Sequence, residues 1–186
     1  DNFNEAPSLK TRDLYKYIDA YRLLGEYFTE STDYLRAQEQ FAQAIQLYTT
    51  ERDNAGFKGT PAIGKIYEDL ANINYFVSGD YDDALTNFKH SVELKNDSPS
   101  IRYKIGYIQY KNKNYTDALG SFMKTGDGNI KERNLIFAMA NTLSIRGDDY
   151  TAQGYYEHLI NLLDDEIAEK GLVLPQSNEK DYDLVN

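Results

Sequence analysis

Cysteine and tryptophan are absent from this chain, and histidine occurs only twice, at His90 and His158. Without cysteine there is no disulfide, no thiolate metal site and no cysteine nucleophile. That absence fits any compartment. Two isolated histidines show no H-E-x-x-H pattern and no carboxylates at metal spacing, so neither a metal site nor a hydrolase triad is expected. Positive charge is also scarce: 20 bases face 30 acids, the net charge is −10 and the pI is near 4.7. A broad nucleic-acid interface needs a basic footprint, so nucleic acid is not an expected partner. The longest apolar run, Leu135 to Ala140, is too short to cross a bilayer. What the chain does have is 41% hydrophobic residues and 17 tyrosines in 186 residues. That suits one compact domain or a short repeat array with a real core. It starts at Asp1 rather than methionine, which reads as a processed or excised chain.

Self-similarity is the strongest signal. Asp33-Tyr34 leads to Ala37 and Phe41. Asp80-Tyr81 leads to Ala84 and Phe88. Asn114-Tyr115 leads to Ala118 and Phe122. Asp148-Asp149-Tyr150 leads to Ala152 and Tyr156. Ala84, Ala118 and Ala152 are 34 residues apart each time; Ala37 precedes Ala84 by 47, which leaves 13 inserted. Upstream of each alanine runs a second stripe at helical spacing. It reads Tyr21, Leu24, Gly25 and Phe28 in the first copy, and Ile105 and Gly106 in the third. In the fourth it reads Ile136, Met139, Ala140 and Leu143.

A 34-residue period holding two amphipathic helices resembles the tetratricopeptide repeat family. The resemblance implies an all-α fold, a right-handed superhelical array of antiparallel helix pairs. It covers residues 18–166: repeats at 18–51, 65–98, 99–132 and 133–166, with a linker at 52–64 and a helical lead-in at 1–17. Small residues should let paired helices approach, Gly25 with Ala37, Gly106 with Ala118 and Ala140 with Ala152. Enlarging one of these alanines should overpack the seam by roughly 1–3 kcal/mol. The third repeat departs from the pattern, with Arg102 and Gln109 at apolar positions. The second carries one extra residue between Leu70-Ala71 and Gly79, so its first-helix register is open. Ser8 is read as an N-cap, and Thr60-Pro61 as a helix start. The acidic segment 167–186 reads either as the start of a fifth repeat or as a frayed tail.

One decoy occurs. Gly59 to Lys65 matches the G-x-x-x-x-G-K spacing of a phosphate loop, but Ile66 stands where a magnesium-holding Ser or Thr is required, and no strand pattern precedes it. A nucleotide-binding enzyme on this loop is the remote alternative. The paired acids Asp82-Asp83, Asp148-Asp149 and Asp164-Asp165-Glu166 read as helix starts or solvated surface. No cofactor is expected.

The family resemblance implies a function: a non-enzymatic scaffold or adaptor that holds a protein or peptide in the groove lined by the first helices. Carried over residue by residue, Asp19, Arg22, Glu26, Thr29 and Glu30 face the groove in repeat one. Tyr103, Tyr107, Tyr110 and Lys111 do so in repeat three, and Phe137 and Asn141 in repeat four. In repeat two either Asn72 or Ile73 takes the equivalent place. Two readings of the tyrosines stand, ligand recognition and cover for the neighbouring repeat. Some family members clamp a peptide carboxylate with Lys and Asn where this chain has Arg22 and Glu26; Glu26 would repel it. A second functional reading is a structural subunit of a larger assembly that docks through Phe57 in the linker. The tyrosine-rich, cysteine-free style resembles bacterial envelope repeat proteins, such as the scaffolds around spirochaete periplasmic flagella. That implies a periplasmic or envelope location rather than a cytoplasmic one.

Overall fold

The computed structural model describes residues 11–52, 58–126 and 133–171. The expectations for Ser8, for Phe57 and for a fifth repeat lie outside the described residues. Among these residues there are eight α-helices, one π-helical turn and no strand. The helices are α1 (Thr11–Glu30), α2 (Tyr34–Glu51), α3 (Pro61–Ile73), α4 (Tyr81–Glu93), α5 (Pro99–Lys111), α6 (Tyr115–Met123), α7 (Arg133–Ile145) and α8 (Asp149–Lys170), with the π turn at Asn74–Ser78 continuing α3. The chain divides into two compact units, residues 1–125 and 126–186. The first holds the helix pairs α1/α2, α3/α4 and α5/α6, each helix packed on the one before it. The second holds the pair α7/α8.

The recurring Asp-Tyr motif has a local cause. Asp33, Asp80 and Asp148 are the N-caps of α2, α4 and α8. Each carboxylate accepts from the backbone N–H three residues on, at 3.3, 3.2 and 3.2 Å. Each cap satisfies a donor the helix leaves orphaned, an effect of about 1 kcal/mol. Asn114 holds the same place before α6 without a side-chain capping bond. The hydroxyls of Thr60 and Ser98 cap α3 and α5, each followed by a proline whose missing N–H costs nothing there. Helix α3 therefore begins at Pro61, ahead of the repeat boundary placed at residue 65.

The anchors sit where the periodicity puts them. Ala37, Ala84, Ala118 and Ala140 are fully buried and Ala152 nearly so; Phe41, Phe88 and Phe122 are at most 1% exposed. Burying each ring contributes about 1.5–3 kcal/mol. Tyr156, the fourth aromatic, is only half-buried. Ile136, Met139, Ala140 and Leu143 are all inside. In α1 the stripe is Leu14, Ile18 and Gly25, flanked by half-buried Tyr21 and Phe28; Leu24 is 46% exposed, one residue off the buried line. A step of one residue turns a helix by about 100°, enough to face solvent.

The geometry adds a large neighbour to the expected pairing of small residues. A Cβ on Gly25 would meet the Phe41 ring first, and a Cβ on Gly106 the Phe122 ring first, with the Ala118 carbonyl oxygen at 3.2 Å. The small residue of the first helix accommodates the large one of the second. Side chains on a helix lean toward its N-terminus, so the aromatic one turn past the alanine reaches back to the glycine.

The extra residue of repeat two is absorbed by the π turn. Gly25, Gly106 and Ala140 precede their alanines by twelve residues, whereas buried Ala71 precedes Ala84 by thirteen. The wider i→i+5 turn consumes the surplus and ends at left-handed Gly79 (φ 68°). Ala71 then packs with Ala84 and Phe88 as its counterparts do.

Candidate functional site

The decoy loop resolves into packing. Gly64 and Lys65 lie inside α3, which Thr60 caps. A Cβ on Gly59 would meet Leu94 and the Tyr48 hydroxyl, and one on Gly64 would stand 2.7 Å from Asn96. Both glycines let α3 approach the end of α4. The Lys65 ammonium bonds Asp69 at 2.7 Å and Glu68 at 3.3 Å. Burial works against its charge, but Asp69 and Glu68 outweigh burial and raise its pKa. The two histidines are both exposed; His90 Nδ1 lies 3.0 Å from Glu93 and its ring beside Tyr67. No three His, Cys, Asp or Glu side chains group as metal ligands among the described residues. No described helix is long and apolar enough to cross a membrane.

On α1, Arg22 bonds Asp19 at 2.8 Å and Glu26 at 2.5 Å. Burial opposes its charge, yet these two carboxylates hold its pKa above the ordinary value. Glu26 is thus engaged within its own helix. On α5 the three tyrosines are half-buried and mutually supporting. Tyr103 stacks on Tyr107 at 6.3 Å and leans on Phe122. Tyr107 meets Tyr75 of the π turn, and Tyr110 meets Tyr115 edge-on. The Lys111 ammonium lies 5.5 Å over the Tyr107 ring. Burial, then the neighbouring phenols Tyr107, Tyr103 and Tyr81, push the Tyr75 hydroxyl far above its usual value, so it stays protonated. These rings cover the neighbouring repeat and still leave part of each face accessible.

In the second unit Phe137 is 43% exposed and edge-on to Tyr156. The Asn141 carbonyl accepts from the Tyr156 hydroxyl, which fixes the amide orientation. In α5 the two departures from the repeat pattern are both accommodated. Arg102 grips Asp97 through two nitrogens at 2.8 and 2.6 Å. Buried Gln109 accepts from Ser121 at 2.6 Å.

Sequence reasoning placed Glu26, Thr29, Glu30 and Asn72 or Ile73 on the groove but did not join them to Asp69, Phe76 and Val77 in one cleft between α1 and α3. A cavity of about 410 Å³ lies there, lined among others by Glu26, Glu30, Tyr34, Asp69, Phe76 and Val77. Phe76 is 68% and Val77 49% exposed. Asn72 belongs to this lining, where it accepts from Lys104 at 2.7 Å. Ile73 also touches the cavity but is buried in the core. Asn72 therefore holds the accessible place and Ile73 the structural one. The missed signal was the extra residue itself, which changes where Phe76 and Val77 point.

Comparison with known proteins agrees with this architecture. A model of the TPR repeat family matches residues 74–113, from the π turn through α5. No curated protein matches the sequence. Among solved structures, Pseudomonas aeruginosa PilF superposes with a TM-score of 0.60 at 18% identity, covering 78% of this chain and 60% of that one. YrrB, described as a TPR protein with an unusual peptide-binding site, gives 0.63 at 15% identity over 82% and 76%. MamA from AMB-1 gives 0.64 at 17% identity over 89% and 87%. At such identities the likeness is one of fold. The chain carries a tetratricopeptide repeat and has the all-α, paired-helix solenoid fold of that family.

Proposed function

We propose that this chain is a non-enzymatic scaffold or adaptor that holds a segment of a partner protein against its first-helix surface. The observation that carries this reading is the ladder of half-buried tyrosines on α5. Tyr103, Tyr107 and Tyr110 present ring area with a polar tip and are held rigid by Phe122, Tyr75 and Tyr115. Rigid amphipathic rings lose little rotamer freedom on binding, which suits recognition. Lys111 adds a positive charge over the Tyr107 ring, and Arg22 and Glu26 carry charge on the first helix of repeat one. In the second unit Phe137 and Asn141 offer an exposed ring and an amide already oriented by Tyr156.

The test compares proteins retained from an extract of the source cells by the immobilised wild-type chain and by a Tyr107→Ala/Phe137→Ala variant. Loss of specific partners is expected. An unchanged set of partners would remove this surface from consideration.

A second reading, a structural subunit of a larger bacterial envelope or motility assembly, is favoured by the exposed face of α8, where Tyr150 is 90% exposed in line with Gly154 and His158. A Tyr150→Ser/His158→Ser variant that assembles like wild type would count against it.

A further inference from the structure

The cavity between α1 and α3 has a charge imbalance and a shape that specify its occupant. Three carboxylates line it, Glu26, Glu30 and Asp69, and no lysine or arginine does. Bases reach these groups only from outside the lining. Arg22 bonds Glu26, and Lys65 bonds one oxygen of Asp69. Glu30 has no ion-pair partner among the described residues. The second oxygen of Asp69 is closed off from solvent without a hydrogen-bond partner, a costly state for a carboxylate. The rest of the lining includes apolar groups: Phe76 and Val77 stand exposed on the π turn, and Tyr34 of α2 lines the same cavity. Lys104 stands outside the lining, its ammonium bonded to Asn72 and lying 5.1 Å from the Phe76 ring centre. A second cation is disfavoured beside Phe76, which leaves the carboxylates as the place for a ligand's charge.

We propose that this cleft binds a partner segment carrying a lysine or arginine close to an aromatic or aliphatic side chain. The cation goes to Glu26, Glu30 and Asp69, and the apolar group to Phe76 and Val77. The inference rests on the scaffold reading but locates recognition in repeats one and two rather than at the α5 tyrosines. A π turn is uncommon and is often found at functional sites; this one closes α3 ahead of Gly79. Here its extra residue leaves two large apolar side chains in solvent beside three acids. Complementary charge sets partner choice and encounter rate, while the apolar pair supplies contact area.

The test uses three fluorescein-labelled peptides in anisotropy titrations with the full chain. One alternates lysine with phenylalanine and leucine. The second has glutamate for each lysine. The third has serine for each apolar residue. The first should bind most tightly. Its Kd should rise about tenfold or more in Glu26→Gln/Glu30→Gln and in Phe76→Ser. It should stay within about twofold in Asp164→Asn/Asp165→Asn, which removes equal charge from exposed positions on α8. Thermal melts confirm that each variant is folded. Equal weakening by the α8 pair would reduce the effect to net charge and overturn the proposal. So would equal or tighter binding of either control peptide, or no binding at all. If Tyr107→Ala abolishes binding while the cleft variants do not, the scaffold reading survives and this location fails.

Discussion

A methyl group placed on Gly25 would stand 2.5 Å from the edge of the Phe41 ring, and one on Gly106 would stand 2.6 Å from Phe122. Both rings are buried. In the pairs α1/α2 and α5/α6 the close approach of the helices therefore depends on a missing side chain opposite a large one.

Gly106→Ala sets two effects against each other. Alanine gains up to about 1 kcal/mol of helix propensity, and overpacking costs about 1–3 kcal/mol. A net loss of about 1 kcal/mol is expected in urea denaturation. Gly120→Ala and Gly154→Ala are the controls. They lie inside α6 and α8 with nothing within 4 Å of a new Cβ. Each should gain about 0.5–1 kcal/mol. If Gly106→Ala stabilises as much as the controls, the ring contact is not what selects glycine.

The turn inside each helix pair uses one left-handed residue: Thr32 (φ 58°), Gly79 (φ 68°), Lys113 (φ 62°) and Gly147 (φ 83°). Two of these four are not glycine. A side chain in this region costs about 1–2 kcal/mol, part of which glycine loses again through unfolded-state entropy. Thr32→Gly and Lys113→Gly should each raise stability by about 0.5–1 kcal/mol, read from the denaturation midpoint. The threonine variant should gain more, because a β-branched residue fits this region worst. No gain would mean that the turn relaxes around its side chain at no cost.

Gln109 and Ser121 form a buried polar pair. Gln109→Leu alone leaves the Ser121 hydroxyl without its partner and should cost about 1–3 kcal/mol. Gln109→Leu/Ser121→Ala removes both groups and should recover most of the loss. A double-mutant cycle measures the difference. Simple additivity would show that the hydrogen bond contributes nothing of its own.

Two aspartates should respond to acid with opposite signs. The side-chain bond from Arg36, then its backbone N–H, holds Asp33 below the ordinary 3.8. Its stabilisation is present above that value and is lost as pH falls through the lower, folded one. Burial raises Asp69 above 3.8 despite its bond from Lys65. Its charged form opposes folding at neutral pH, and protonation relieves that as pH falls through the raised value toward 3.8. Stability curves of Asp33→Asn and Asp69→Asn against wild type check both signs. The Asp33 variant should lose its deficit in acid. The Asp69 variant should lack the relative gain that wild type shows on mild acidification. Parallel curves would mean that neither group is coupled to folding.

The positions of α2, α4, α6 and α8 were legible because each begins at Asp-Tyr or a close relative and carries on one face a buried alanine and an aromatic, buried in the first three and half-buried in α8. Capping and helical spacing act over three or four residues, so they can be read along the chain. Leu24 was misplaced because apolar character alone does not say which of two adjacent residues faces inward. The candidate site was less legible. Groove positions can be counted from the repeat, but whether Tyr107 meets a ligand or Tyr75 depends on a neighbouring element. The α1–α3 cleft was legible only in part, through Glu26, Thr29, Glu30 and Asn72, and not in Asp69, Phe76 and Val77. Glu30 and Asp69 lie 39 residues apart in the sequence, and only folding places them in one lining.

The sequence by itself determined that this protein is an array of paired helices with a 34-residue period, because amphipathic spacing and caps are local and repeat. The tertiary structure alone decided that Gly25 and Gly106 make room for the rings of Phe41 and Phe122, and that an extra residue becomes a π turn bearing exposed Phe76 and Val77. Those outcomes depend on which surfaces meet across the chain. Side-chain direction and helix approach set that meeting, and neither is encoded in the spacing of one helix.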